Sequence, residues 1–500
     1  MLTFWVLLFR NKNQEGLHMR KTIKIATIFS TALLLAAGGA VTSHAAWEQA
    51  GGNWIFTDNS GNRVRNSWRQ SGNYYYYLDQ NGIMATNRWI DDTYYVDGNG
   101  VMVTDRWIYT EGNHYYGSYS NGRWYYLDAN GRVVRDGWRT INNRRYHFDD
   151  DGAMQYGWFH EGDNLYYLGD WNDGAAKTGW LCLDYDDYDG QDDGEVSPVT
   201  GSGKWFYFQE NGRAVKARDG RYADRNINGS RYYFDENGVM LTGWVSVTGR
   251  DTGDTTGISA YKYFGNENEG QMARGWRYLT EYPGDYEYRN GSRYGWGYDS
   301  GDGAWYYFDN SGVPAYLKAG TERLSDAVIR INGDRYFFDA YGRMQSGLLG
   351  LVYPDGTTVS AYFGANDSDG RMKTDRQTNV WEENGERSTF YFNPSGDRGA
   401  GYTGERSGYL YYMGKLVQAE RGEDIQVFEV GGRLYLVNES GRSQDSNRVY
   451  RADGEYRYEY ENGVIYTVNE RRERTGQVTT GERLPGIAFR RIYSLQTAAE

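Results

Sequence analysis

The chain has 500 residues and a formal net charge of −13, with 67 Gly, 49 Tyr and 17 Trp but only 6 Pro. A mean hydropathy of −0.81 would place an ordinary chain among disordered ones, but aromatics make up 17% of the residues and each buries about 150–250 Å² when packed. The acidic balance excludes a nucleic-acid binder, which needs a basic stripe, and the single cysteine, Cys182, excludes an intrachain disulfide framework.

Residues Met1 to His18 fit no export pattern. Met19 reads as the true start, because Gln14-Glu15-Gly16 can be encoded by a purine-rich run resembling a bacterial ribosome-binding site. Arg20, Lys21 and Lys24 then form a positive region, Ile25–Ala37 an apolar one, and Ser43-His44-Ala45 a signal-peptidase site. The apolar run is shorter than the ~20 residues a membrane span needs. Residues 1–45 therefore read as a signal peptide, with membrane contact only during export, and the mature chain begins at Ala46 or Trp47.

Past residue 47 one pattern recurs. Clear copies are Tyr74–Trp89, Thr93–Trp107, Arg123–Trp138, Ser230–Trp244 and Ala304–Gly320. Closing tryptophans stand at 68, 89, 107, 138, 158 and 180, a period of roughly twenty with one longer step, which signals a stacked repeat. Runs such as Tyr74–Leu78 and Trp124–Leu127 favour strand. They lead into Asn81-Gly82, Asn99-Gly100, Asn130-Gly131, Asn211-Gly212 and Asn237-Gly238, and Asn-Gly suits the positive φ angles of a type I′ hairpin turn. A second short strand such as Val239–Leu241 follows. Because a lone two-stranded hairpin is marginal in water, the copies must stack. The expectation is an all-β fold, an elongated solenoid of stacked β-hairpin repeats over 46–346.

Insertions interrupt the copies at Asp184–Gly203, Thr248–Ser259 and Tyr278–Asp302. The acidic run Asp184–Glu195 has the carboxylates for a calcium loop, but with Gly190 at the sixth loop position Tyr185 falls first and Glu195 one residue early. A solvated acidic insertion is the preferred reading. After about Gly347 the closing Gly-Trp disappears, so 347–470 reads as degenerate hairpin repeats, with hairpins at Val427–Val437 and Tyr456–Val468. Residues 471–500 read as a weakly structured tail. Leu484-Pro485-Gly486 lacks the apolar stretch and basic tail of a sortase-type anchor.

Enzyme motifs are missing from the sequence: no His-Glu-x-x-His, no Gly-x-Ser-x-Gly elbow and no P-loop. Cys182 lies in an apolar Trp-Leu-Cys-Leu stretch, where a buried, inert thiol is the default. His114, His147 and His160 sit inside repeats without nucleophile-like neighbours. The expectation is a non-catalytic chain with no catalytic residues, no cofactor and no metal.

The motif set, aromatic-Tyr-Phe/Leu-Asp, Asn-Gly, hydrophobic-Met and Thr-Gly-Trp in tandem, resembles the cell-wall-binding repeats of Gram-positive surface proteins, the family of choline-binding and related glucan-binding repeats. The resemblance spans roughly Trp47 to Val468. It implies non-covalent attachment to a cell-wall polymer or an extracellular polysaccharide. In the choline-binding branch, cages form from the Gly-Trp tryptophan, the aromatic opening the next Tyr-rich strand, and an aromatic of the following hairpin. A quaternary ammonium binds over such ring faces. Carried over position by position, the strand-opening residue is aromatic only at Tyr75, Trp124, Trp205, Tyr261 and Trp305; elsewhere it is Thr93, Arg145, Leu165, Arg231 or Arg335.

The candidate cages are therefore Trp68/Tyr75/Tyr94, Trp107/Trp124/Tyr146, Trp180/Trp205/Tyr232 and Trp276/Trp305/Tyr336. The expected function is secreted, wall-associated binding of a choline-decorated or similar glycopolymer. The alternatives are α-glucan binding and an adhesin that docks a host protein.

Overall fold

The computed structural model describes residues 45–110, 122–183, 203–247, 258–280, 303–318, 320–452 and 454–496. The stretch read as a signal peptide (but for residue 45), the acidic run 184–195, His114 and nearly all of the three insertions lie outside them. The described residues form two compact units. One comprises 45–110 and 126–133, the other 122–125 and 134–496.

Both units are built from antiparallel hairpins, as the repeat pattern predicts. Where a closing Trp is present, its strand pairs with the Tyr-rich strand that follows it. Ser67–Ser71 pairs with Tyr74–Leu78, and Gly137–Ile141 pairs with Arg144–Phe148. Later, Gly179–Leu183 pairs with Lys204–Phe208 and Gly275–Leu279 with Ala304–Phe308. Two-residue tips such as Asn142-Asn143 and Asn228-Gly229 have both residues at positive φ (48° and 62°, 51° and 84°), as a type I′ turn demands.

The Asn-Gly pairs named from sequence do a different job. At Asn81-Gly82 only the glycine is left-handed, at φ 70°. The Asp79 carboxylate accepts hydrogen bonds from the Asn81 and Ile83 N–H groups at 2.8 and 2.9 Å. The Gly82 N–H reaches the Asp79 carbonyl at 2.8 Å. This is a type I turn with a left-handed glycine, wound around an aspartate side chain. The residues after it form no strand: Leu78 meets Met84, and Phe234 meets Met240, in single bridges only. The expected strand Val239–Leu241 is thus a connector. These turns hand the chain from one hairpin to the next rather than closing a hairpin.

Stacking follows from that handover. In the first unit the Met84 N–H donates to the Trp54 carbonyl and the Met102 N–H to the Tyr75 carbonyl, each at 2.8 Å. Ala85, Ile90 and Val96 form a small core there with Trp68, Tyr77 and Tyr94 packed against it. The second unit repeats the scheme through the hairpin Val328–Ile331/Asp334–Phe337. One of its cores joins Val215, Ile227, Tyr232, Phe234 and Met240, with Trp180 and Trp205 against it.

Beyond Leu348 the sheets widen. Asp375–Trp381 and Arg387–Phe392 belong to a five-stranded sheet, and the hairpins Ile425–Val430/Arg433–Asn438 and Glu455–Glu461/Val464–Val468 each gain further strands. Within the stretch read as a weakly structured tail, two segments pair into this region. Arg474–Gln477 pairs with Val464–Val468, and Arg491–Ser494 lies parallel to Leu348–Val352. Leu495 is fully buried in a core with Leu317, Phe337, Leu349 and Phe363. The Tyr493 hydroxyl donates to Gln345 at 2.6 Å, and Arg490 donates to Ser346 and Asp367 at 2.6 and 2.7 Å. That guanidinium holds the Asp367 carboxyl below its ordinary range. The partners lie more than a hundred residues upstream, which is why local sequence pattern does not disclose the docking.

Two outcomes follow from this packing. Leu495→Ala should destabilise the second unit by about 2–5 kcal/mol in urea unfolding, whereas Ile492→Ala, at a residue 62% exposed, should change it by less than about 0.5 kcal/mol. The other concerns Asp149, which occupies the turn position of Asp79. Burial pushes its carboxyl up from 3.8 to about 6, against a hydrogen bond from the Ala153 N–H at 2.7 Å. An acid raised on folding contributes stability that is full below pH 3.8 and lost as pH rises through about 6. Asn438 fills the equivalent turn, accepting from the Ser440 and Arg442 N–H groups. Asp149→Asn should therefore fold and should flatten the fall in melting temperature between about pH 4 and pH 7. An unaltered pH profile would refute the assignment.

Candidate ligand cages

The cages are a consequence of hairpin register. Trp180 faces Tyr207 across its hairpin, and Trp276 faces Tyr307. Residues two apart on a strand share a face, so Trp205 and Trp305 lie diagonal to those tryptophans. The Trp180–Trp205 centroids are 6.4 Å apart at 80°, and Trp276–Trp305 are 6.3 Å apart at 83°. The following hairpin adds the third ring. Tyr232 stands 4.8 Å from Trp180, and Tyr336 stands 4.8 Å from Trp276. Behind each tryptophan a phenylalanine stacks at 5.8 Å, Phe234 in one case and Phe338 in the other. Two sequence-predicted cages are thus assembled with the same geometry.

A methionine completes the arrangement. The Met240 N–H donates to the Trp205 carbonyl, and the Met344 N–H donates to the Trp305 carbonyl, both at 2.8 Å. The side chain of Met240 lies over Gly270 (φ +57°), where a Cβ would come within 2.2 Å of its sulfur. These methionines were not among the predicted site residues, although the hydrophobic-Met step of the motif carried the signal.

In the first unit, Trp68 and Tyr94 meet edge to face at 5.4 Å, while Tyr75 is 42% exposed. All three line one groove of about 1240 Å³. A further group of the same kind opens onto it. Trp47 meets Tyr76 at 5.2 Å, and Trp54, 39% exposed, holds the strand-opening position opposite Gln49. Sequence reasoning passed over this group because Trp47 stands at the expected start of the mature chain. The Gly51-Gly52 tip between Trp47 and Trp54 was the available clue.

The remaining predicted cage is divided. Trp107 belongs to the first unit, where its ring meets Tyr126 at 5.2 Å; Trp124 and Tyr146 belong to the second. Another group unites Trp244 and Tyr306 at 5.3 Å, with Tyr261 at the strand-opening position opposite Ser246. Trp158, by contrast, is buried against Phe206 at 4.9 Å and is a core residue.

Burial pushes the phenols of Tyr76, Tyr146 and Tyr336 above their ordinary value. They stay neutral at pH 7, so the rings offer π faces rather than phenolate charge. His147 is partly buried beside Gln155, and burial lowers its pKa. Among the described residues no group of three or more His, Cys, Asp or Glu could hold a metal ion. Cys182, expected to be buried, is exposed. Strand alternation turns Leu183 inward and Cys182 outward, directly opposite Trp205.

Sequence models of the choline-binding repeat match residues 62–101 and 134–180. The cell wall binding repeat matches 119–132, 199–214, 225–240 and 295–313. Together these matches cover less than half of the chain. The repeat families are binding modules. Glucosyltransferase-S of Streptococcus mutans is 27% identical over 335 residues, 65% of this chain but only 19% of that enzyme. Among solved structures, the Streptococcus pneumoniae autolysin LytC with a synthetic peptidoglycan ligand is 20% identical over 62% of this chain and 55% of its own, at a TM-score of 0.35. Choline binding protein F of the same organism, solved with a peptidoglycan analogue, is 22% identical over 68% of this chain and 98% of its own, also at 0.35.

The closing and opening tryptophans of a cage differ in their packing, which yields a prediction. Trp180 touches Trp205, Tyr207, Tyr232 and Phe234, whereas among the described residues Trp205 has a ring contact with Trp180 only. Trp180→Ala should cost about 3–5 kcal/mol of stability, and Trp205→Ala distinctly less, by chemical unfolding of the full chain. Equal losses would contradict this division of labour.

Proposed function

We propose that the chain is an exported, non-catalytic protein that binds a choline-decorated cell-wall glycopolymer through Trp180/Trp205/Tyr232 and Trp276/Trp305/Tyr336. The observation that carries this reading is the twofold recurrence of one three-ring geometry, with centroid distances agreeing within 0.1 Å. Rings at right angles surround a cation with π faces, each worth about 0.5–2 kcal/mol. Weak sites on one chain gain avidity where their spacing matches the polymer. The group around Trp68, Tyr75 and Tyr94 is assigned to the same function.

A second reading, binding of a neutral glucan-type polysaccharide, is favoured by the groove of the first unit. At about 1240 Å³ it exceeds the roughly 300–1,000 Å³ of ordinary small-ligand pockets. Tyr74, 57% exposed, extends its aromatic rim. Asp97 and Arg106 in its lining lie 3.8 Å apart and offset each other's charge.

The readings separate on two matrices. Retention of the full chain on a choline-like resin, with release by free choline, is expected. Trp205→Ala and Trp305→Ala together should weaken it, each by about 2- to 30-fold. A fluorophore on Cys182, opposite Trp205, should report choline binding at that cage. Failure to bind the resin, with retardation on immobilised dextran abolished by Trp54→Ala/Tyr75→Ala, would replace the first reading by the second.

A further inference from the structure

The hairpin Gly137–Ile141/Arg144–Phe148 has the cage scaffold with one substitution. Trp138 faces His147, as Trp180 faces Tyr207, so Arg145 stands where Trp205 stands in its own hairpin. Tyr166 of the next hairpin lies 4.7 Å from Trp138, against 4.8 Å for Trp180–Tyr232. Two walls of a cage are therefore present. The guanidinium of Arg145 sits over the Trp138 ring, 4.2 Å from its centroid, well inside the ~6 Å reach of a cation–π contact. A donor of the same guanidinium reaches the Asn211 carbonyl at 2.6 Å.

The walls do not depend on that arginine. Glu161 ties them together: the Trp138 Nε1–H donates to one of its carboxylate oxygens at 3.2 Å, and the Tyr166 hydroxyl to the other at 3.0 Å. Arg213 donates to the same hydroxyl at 3.1 Å. Glu161 also leaves a negative charge at the edge of both rings, which favours a cation over the Trp138 face beside Tyr166. We propose that Arg145 is an internal ligand, filling a cation cage formed by Trp138 and Tyr166 that takes a quaternary ammonium group once the guanidinium is removed. Repeats with an aromatic at this position accept a cation from outside, and this repeat carries its own. The inference rests on the cage reading of the preceding section. Arg145 acts as a specificity determinant, setting which repeats are open and hence the spacing of occupied sites.

The test uses the full chain and two probes, tetramethylammonium and choline, with bound equivalents counted by calorimetry and thermal stability followed in parallel. Arg145→Trp should bind one equivalent more than wild type. Arg145→Ala should show a larger tetramethylammonium-dependent rise in melting temperature than wild type. Adding Trp138→Ala to Arg145→Trp should remove the extra equivalent. If wild type binds neither probe while an Arg145 variant does, the assignment of the other cages fails and this one stands. Wild-type binding lost in Trp205→Ala/Trp305→Ala, with no gain in either Arg145 variant, would overturn the inference alone. If Arg145→Trp does not fold by circular dichroism, Arg145→Ala decides, and no gain there overturns the proposal.

Discussion

The stacked hairpins before Leu348 lean on one recurring contact, the edge-to-face meeting of a closing tryptophan with the tyrosine of the following hairpin. Trp47–Tyr76, Trp68–Tyr94, Trp180–Tyr232, Trp244–Tyr306 and Trp276–Tyr336 all repeat it, with centroids between 4.8 and 5.4 Å. Two-stranded hairpins are marginal alone, and each here buries little aliphatic surface of its own. An aromatic pair adds about 0.5–1.5 kcal/mol beyond the area it buries. Where the contact recurs, stability builds by nearest-neighbour terms, as in other repeat proteins.

The same contact creates the candidate sites, which explains why a cage need not be added to the fold as a separate device. Two rings are already held at a steep angle by stacking, and a third aromatic at the strand-opening position adds another ring face beside them. One residue per repeat therefore decides between outcomes. Trp205 and Trp305 complete a cage, Leu165 accompanies a fully closed core at Trp158, and Arg145 lays a guanidinium on the ring. At Arg231 the solution is different again, an ion pair with Asp224 at 3.0 Å, because an aspartate replaces the closing tryptophan.

Past Leu348 the arginine solution becomes common. Arg387 lies over Trp381, Arg406 over Tyr391, Arg451 over Tyr456 and Arg474 over Tyr466, at 3.9 to 4.7 Å. Where closing tryptophans are missing, strands add sideways into sheets of three to five instead of stacking as pairs. The chain's last described residues then pair with Leu348–Val352. The aromatic content persists, but its faces are covered from within the chain.

The sequence by itself determined the repeat, its all-β character and which rings come together in two three-ring groups, because strand alternation and hairpin register are local and a period of about twenty residues exposes them. It misplaced the Asn-Gly turns, since at four of the five an aspartate three residues before the glycine captures the backbone N–H groups and favours a type I turn. It misread Cys182 as buried, since an apolar run hides which face of a strand points inward. Only the tertiary structure decided that Trp47, Trp54, Tyr76 and Met84 line one groove, and that Arg490 and Tyr493 are held by Gln345, Ser346 and Asp367. Those contacts join residues from different hairpins or distant parts of the chain, and their partners are set by packing rather than by spacing.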